Sequence, residues 1–283
     1  MSSRFAVLGS PIAHSKSPLL HTAAYRELGL DWEYTRAEVS SGELGEFVLG
    51  LDDSWRGLSL TMPLKEEALA LVDSVDVQSL MTGASNTVAL DHSQSKLTVQ
   101  GFNTDVAGIV GALADVGIRQ TSHVLILGAG ATARSAMVAA ANLGAEQVTV
   151  AARSPHKTEE IVNVAARAGL VVSVVHLGDA LTSDLVADVT ISTLPGGALQ
   201  LAPDDILAVP RGAVLLDVAY DPWPSVLGTA WRGAGGVTVS GLAMLAHQAL
   251  GQVRIFVTGD PLLPLDREDE VFTAMKRAVG LPS

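Results

Sequence analysis

Two residues of opposite charge are placed where they could move a proton. Lys65 follows Thr61-Met-Pro-Leu, and Asp105 closes Gly101-Phe-Asn-Thr-Asp105. Pro63 can open a helix, because a proline at the first helical position loses nothing. Lys65 is then expected in the first turn of that helix, where a cation is mildly unfavourable. A local inconsistency of this kind often marks a functional position. Asp105 is expected at the start of another helix. Its plain role is to cap that helix; its functional role is a carboxylate in an interdomain cleft, near Lys65. Ser15 and Ser17 flank Lys16 in an early loop. Alternate hydroxyls can point to one side and donate to a carboxylate, or can simply belong to an ordinary loop. Asn86, Tyr220 and Gln248 are polar residues beside or within apolar segments and are open to either reading.

A second constellation involves backbone more than side chains. Gly128-Ala129-Gly130-Ala131-Thr-Ala133 follows the apolar run His123–Leu127 and opens a small-residue helix. In such a strand–loop–helix unit the first glycine makes the tight turn and the second lets backbone approach a pyrophosphate. A small third residue permits close helix–strand packing, and the helix N-terminus faces the phosphates. The next predicted strand ends at Ala152, followed by Arg153, Ser154 and Lys157, with no acid in that region. A carboxylate there would hold a ribose 2′-hydroxyl. A guanidinium instead grips a 2′-phosphate with two bonds. The expected cofactor is therefore NADP rather than NAD.

Composition narrows the remaining classes. The chain has 283 residues, with 18 Lys and Arg against 30 Asp and Glu, a formal charge of −12. That surface repels nucleic acid and anionic membrane, and no basic run offsets it. Cysteine is absent, which removes disulfides, thiolate catalysis and Cys-ligated metal. The seven histidines show no metal-ligand spacing, so no metal is expected. No secretory signal or membrane span is read. The expectation is a cytoplasmic protein that acts on a small molecule; no segment of the sequence marks an oligomer interface.

The elements that must position these residues alternate. Strands are expected at Arg4–Gly9, Trp32–Val39 and Gly57–Met62, with helices at Leu19–Leu28, at Ser41–Leu49 capped by Ser40 or Ser41, and after Pro63. This βαβαβα order predicts a mostly parallel sheet. Shorter strands at Ser85–Leu90 and Leu97–Phe102 follow. Residues 104–239 read as a self-contained alternating unit with the glycine loop near its start. The helices expected after it, about Leu242–Phe256 and Arg267–Val279, are too few to be a domain of their own. They are expected to pack back on the first half. The predicted fold is α/β with two domains: residues 1–103 and 240–283, and a Rossmann-like domain at 104–239.

Taken together, seven segments resemble the shikimate dehydrogenases over essentially the full length, most closely the actinobacterial form. They are Gly9-Ser-Pro-Ile-Ala-His-Ser15-Lys-Ser17-Pro, Ser59-Leu-Thr61-Met-Pro-Leu-Lys65, Gly83-Ala-Ser-Asn86-Thr, Gly101-Phe-Asn-Thr-Asp105, Gly128-Ala-Gly-Ala, Asp217-Val-Ala-Tyr220-Asp-Pro and Gly241-Leu-Ala-Met244-Leu-Ala-His-Gln248. The resemblance implies NADP-dependent, reversible reduction of 3-dehydroshikimate to shikimate in aromatic amino-acid biosynthesis. By the same resemblance Lys65 and Asp105 are the catalytic pair, and Ser15 and Ser17 hold the substrate carboxylate. Thr61, Asn86, Tyr220 and Gln248 make the other substrate contacts, and Gly241 and Met244 lie near the nicotinamide. Three positions depart from the family pattern: Ser59 and Ala152 stand where many members have asparagine, and Ser225 where they have threonine. A quinate-using, NAD-linked enzyme is the nearest rival. A ligand-sensing regulator is the rival of another class; it would be expected to lack Lys65 or Asp105.

Overall fold

A computed structural model describes residues 2–93, 97–154, 158–182, 187–199 and 209–282. The chain forms two compact units, Met1–Gly108 with Leu245–Ser283, and Ile109–Met244.

The first unit is built on a six-stranded sheet. Its strands are β1 (Arg4–Gly9), β2 (Glu33–Glu38), β3 (Trp55–Leu60), β4 (Ser74–Val75), β5 (Thr87–Asp91) and β6 (Thr98–Phe102), in the order β2-β1-β3-β5-β6-β4. Strands β1, β2 and β3 run parallel, whereas β5 pairs antiparallel with both β3 and β6. The sheet is therefore mixed rather than mostly parallel, because the short connection from β5 to β6 permits only a hairpin. Helices α1 (Ser17–Glu27), α2 (Leu44–Leu49) and α3 (Val77–Thr82) and a 3-10 turn at Glu67–Ala70 complete its N-terminal portion. Residues alternate along β1. Phe5 and Val7 join one buried cluster with Leu20, Tyr25, Leu250 and Met275, while Ala6 and Leu8 join another with Leu58, Leu60 and Leu64. That period of two buries both faces of the sheet. It also fixes the C-terminal residues Ala246–Met275 against the first face.

Two local expectations are corrected. No α-helix opens at Pro63: Lys65 lies in turns ahead of the 3-10 segment. The main-chain carbonyl of Lys65 accepts from Ser85 N at 2.8 Å, and Leu69 N turns instead to the Glu66 carbonyl. Lys65 therefore faces no unfavourable helix end. Neither Ser40 nor Ser41 caps α2. The helix starts at Leu44, and the Glu67 carboxylate accepts from the main-chain N–H groups of Gly42 and Leu44 at 2.8 and 3.0 Å.

The second unit carries the fully parallel sheet that the alternation predicts. Helices α4 (Asp105–Ala114) and α9 (Gly241–Thr258) each contain one of the points that divide the units, and α10 (Glu268–Ala278) ends the chain in the first. Between them lie β7 (His123–Leu127), α5 (Ala131–Asn142), β8 (Gln147–Ala152), α6 (Glu159–Arg167), β9 (Val171–His176), α7 (Leu177–Thr182), β10 (Val189–Ser192), β11 (Val214–Asp217), α8 (Val226–Gly233) and β12 (Val237–Ser240). The strand order is β12-β11-β10-β7-β8-β9. It reverses at β7, the switch point where open α/β sheets bind ligands. No described helix is long and apolar enough to cross a membrane.

Candidate active site

Topology brings the side chains of the first unit to one end of its sheet. Strands β1 and β3 run parallel, with Leu8 opposite Leu60, so the loops after both leave at the same end. Two successive antiparallel pairings return β6 to the direction of β3, with Ser59 opposite Thr87 and Thr87 opposite Phe102. The Ser15–Ser17 loop, the Thr61–Lys65 turn, Asn86 and the segment ending at Asp105 all follow from that arrangement. The hydrogen bonds Thr61 N to Leu8 O at 2.9 Å, Leu60 N to Asn86 O at 2.7 Å and Asn86 N to Phe102 O at 2.9 Å stitch this end together.

Lys65 Nζ lies 2.5 Å from Asp105 Oδ2, and the two side chains are 12% and 5% exposed. Removing one member of so buried a pair would strand the other charge. The second carboxylate oxygen is not idle: Asn86 Nδ2 donates to Asp105 Oδ1 at 2.8 Å. Asn86 is itself pinned, because its Oδ1 accepts the main-chain N–H of Thr104 at 2.9 Å. Asn103 Oδ1 accepts the N–H of Asp105 at 3.0 Å and holds the start of α4. Gln248 enters from α9, its Oε1 accepting from Asn86 Nδ2 at 3.1 Å and from Thr104 Oγ1 at 3.3 Å. Gln248, Asn86 and Asp105 are all buried. The arrangement presents one ammonium with its orientation set by a carboxylate that an amide in turn fixes. That is suited to giving or taking a proton at an oxygen while countering its negative charge.

Ser17 opens α1 and is buried; Ser15 is half-buried, and its Oγ accepts the N–H of Ser17 at 3.3 Å. Thr61 sits at the foot of the Lys65 turn, its methyl packed so closely on Gly9 that a Cβ there would lie 2.4 Å away. Tyr220, Gly241 and Met244 belong to the second unit. Tyr220 lies beyond the end of β11. At Gly241 an added Cβ would stand 2.0 Å from the Val218 carbonyl, so glycine is required there by backbone contact alone.

The glycine loop is built differently. Gly128 has φ +111°, and a Cβ would meet Thr193 Oγ1 at 2.4 Å, so the turn itself demands glycine. Gly130 has an ordinary backbone and open space where its Cβ would be. No side chain caps α5 at Gly130, which leaves the first N–H groups of the helix for an anion. Leu127 pairs with Ala151, so Arg153 and Ser154 emerge from β8 at the same end as this loop. Arg153 is exposed and Ser154 half-buried. Lys157 lies outside the described residues. An open main-chain loop at Gly130, with Arg153 emerging at the same end of the sheet, fits a dinucleotide bearing an extra phosphate.

Comparison with known proteins agrees. Residues 7–88 match the family model described as the shikimate dehydrogenase substrate binding domain. The NADP(+) shikimate dehydrogenase of Methanothermobacter thermautotrophicus is 34% identical over 97% of this chain and 96% of its own length. This chain belongs to the shikimate dehydrogenase family. Among solved structures, that of the Mycobacterium tuberculosis shikimate dehydrogenase superposes with a TM-score of 0.81 at 38% identity, covering 97% of this chain and 99% of that one. The Thermus thermophilus shikimate 5-dehydrogenase, solved with NADP(H) and shikimate, gives 0.79 at 32% identity, with 98% and 99% covered.

Against the shikimate dehydrogenase pattern, Ser225 keeps the hydroxyl of the usual threonine. It donates to Asp217 Oδ2 at 2.6 Å and caps α8 at Gly228 N. Asn103, Thr104, Tyr34 and Gln252 are not singled out as functional by the sequence, although Thr104 stands there as a possible helix cap. Gln252 lies four residues after Gln248 in an apolar helix. Two amides one turn apart on one face is a signal that could have found it.

Proposed function

We propose that this member of the family is an NADP-dependent shikimate dehydrogenase that reversibly reduces 3-dehydroshikimate to shikimate in aromatic amino-acid biosynthesis. The observation that carries this reading is the buried Lys65–Asp105 pair, with Asn86 bonded to the far carboxylate oxygen. We take the first unit as the substrate-binding domain and the second as the dinucleotide-binding domain. Bound NADP would supply or accept the hydride at the ring carbon. In reduction Lys65 Nζ gives a proton to the oxygen that carries the growing negative charge, and in oxidation it takes that proton back. Asp105 aims the amine and balances its charge. Ser15 and Ser17 donate to the substrate carboxylate, and Thr61, Asn86, Tyr220 and Gln248 bind the ring hydroxyls. Gly128, Ala129, Gly130 and Ala131 receive the pyrophosphate, with Arg153, Ser154 and Lys157 at the 2′-phosphate and Gly241 and Met244 by the nicotinamide. The 38% identity with the mycobacterial enzyme supports placing the chain nearest the actinobacterial form. Action in the cytoplasm, as a monomer or homodimer, completes the reading.

A matrix of shikimate and quinate against NADP⁺ and NAD⁺ tests it by absorbance of the reduced cofactor. Shikimate with NADP⁺ is expected to give the highest kcat/KM. Preference for quinate and NAD⁺ would move the chain to the dual-substrate enzymes. No reduction in any combination would favour a ligand sensor.

A further inference from the structure

Behind the site lies a buried polar chain whose proton directions can be worked out from acceptor-only and donor-only groups. The Asn86 main-chain carbonyl can only accept, so Gln252 presents Nε2 to it at 3.1 Å and to Thr87 Oγ1 at 3.0 Å. Gln252 Oε1 then faces the other way and accepts from Ser59 Oγ at 2.9 Å and from His21 Nε2, 3.2 Å away. The Ser59 proton is committed, so Tyr34 donates its hydroxyl to Ser59 at 2.6 Å. On the far side Thr87 Oγ1 accepts from Gln252 and donates to Asn86 Oδ1 at 2.8 Å. The Thr104 N–H independently fixes Asn86 with Oδ1 on that side, so Nδ2 points at Asp105. Both anchors give one direction: Tyr34 to Ser59 to Gln252, then Gln252 to Thr87 to Asn86 to Asp105, which meets Lys65. Gln252 is 1% exposed, and Ser59 and Thr87 are as deeply buried.

We propose that Gln252 is a positioning residue: held through Ser59 by Tyr34, it fixes Thr87 and through it Asn86, so that the aim of the Lys65 amine through Asp105 is set from behind the site. The proposal rests on the functional reading above. Ser59 serves it as a small hydroxyl relay that both accepts and donates within one step. Burial supports the assigned directions, because it lowers the His21 pKa to about 3 and keeps the ring neutral, with one nitrogen donating and the other accepting. In that form His21 Nδ1 accepts from the Tyr25 hydroxyl, 3.3 Å away.

The test is steady-state oxidation of shikimate with NADP⁺. Thr87→Val breaks the second half of the chain with little change of shape. It is expected to lower kcat about tenfold while moving the shikimate KM less than about twofold, and Thr87→Ser should restore kcat to within about twofold. Tyr34→Phe removes the donor to Ser59 at the far end and should lower kcat less, by about threefold, with the shikimate KM within about twofold. In the double variant the effects on kcat/KM should depart from multiplication by at least about threefold, and should multiply in a Gln252→Met background. Wild-type kcat in Thr87→Val, no rescue by serine, or multiplying effects in the presence of Gln252 would each overturn the proposal. If Gln252→Met does not fold, the Tyr34 and Thr87 variants decide alone. If the wild-type chain does not oxidise shikimate, the functional reading fails instead. The chain is then judged by nitrogen NMR of His21: a proton on Nε2 fits, and one on Nδ1 reverses the amide and overturns it.

Discussion

On the proposed reading, the Lys65–Asp105 cluster of the first unit and the glycine loop of the second would reach function by opposite means. Around Lys65 and Asp105 nearly every polar atom that matters is held by another side chain: Asn86, Thr104, Gln248 and Asn103 each fill a defined place. Around Gly128 and Gly130 the working parts are main-chain N–H groups and open space. The first kind of site depends on which atoms are present, so substitutions that keep shape and change chemistry should break it. The second depends on what is missing, so adding one methyl should break it.

The largest effect is expected at the carboxylate. Asp105→Asn keeps an acceptor for Asn86 but sets an amide N–H₂ against the Lys65 ammonium. The shikimate oxidation kcat should fall about 10²-fold or more, with smaller change in KM. Near-normal kcat would remove Asp105 from the chemistry. Next comes Arg153→Ser, which should raise the NADP⁺ KM by about tenfold or more and leave the NAD⁺ KM within about threefold; equal changes for both would place the guanidinium away from the 2′-phosphate.

The two glycines sharpen the comparison further. Gly130→Ala meets open space, so its melting temperature should stay near wild type while the NADP⁺ KM rises about tenfold. Gly128→Ala should lower both, because φ is positive and the Thr193 hydroxyl stands in the way. Thermal melts beside cofactor titrations separate the two. The smallest expected effect under assay conditions comes from His21. Its folded pKa is depressed to about 3 by burial, so the unfolded chain binds the proton first as pH falls. The stability this residue contributes is complete above about pH 6.5 and is lost progressively as pH falls towards about 3, up to about 5 kcal/mol in all. Denaturant melts of His21→Leu should show a shallower fall over that window than wild type.

The same contrast explains what could be read before the coordinates. The glycine loop was legible because its requirement is local: two glycines and a small residue at fixed spacing, between an apolar strand and a helix. The parallel second sheet followed from simple alternation. Lys65 and Asp105 were legible as unusual residues, but their meeting depends on β6 returning parallel to β3 through two antiparallel pairings, which local pattern does not encode. The position of Lys65 was also misread. A proline can open a helix, yet whether one forms depended on Ser85, twenty residues on, taking the Lys65 carbonyl. The cap of α2 failed as a local reading for the same reason, since Glu67 supplies it from a distant segment. Gln252 and Tyr34 bond to buried neighbours far apart in the chain; the second amide one turn after Gln248 hints at Gln252, and nothing near Tyr34 in the chain hints at it.

Lys65→Ala is the measurement that bears most directly on the account. Shikimate binding and NADPH formation from shikimate and NADP⁺ would be followed in parallel, with wild-type protein as reference. The account predicts retained shikimate affinity and a turnover lowered by at least about 10²-fold. Turnover close to wild type in a folded Lys65→Ala protein would contradict it.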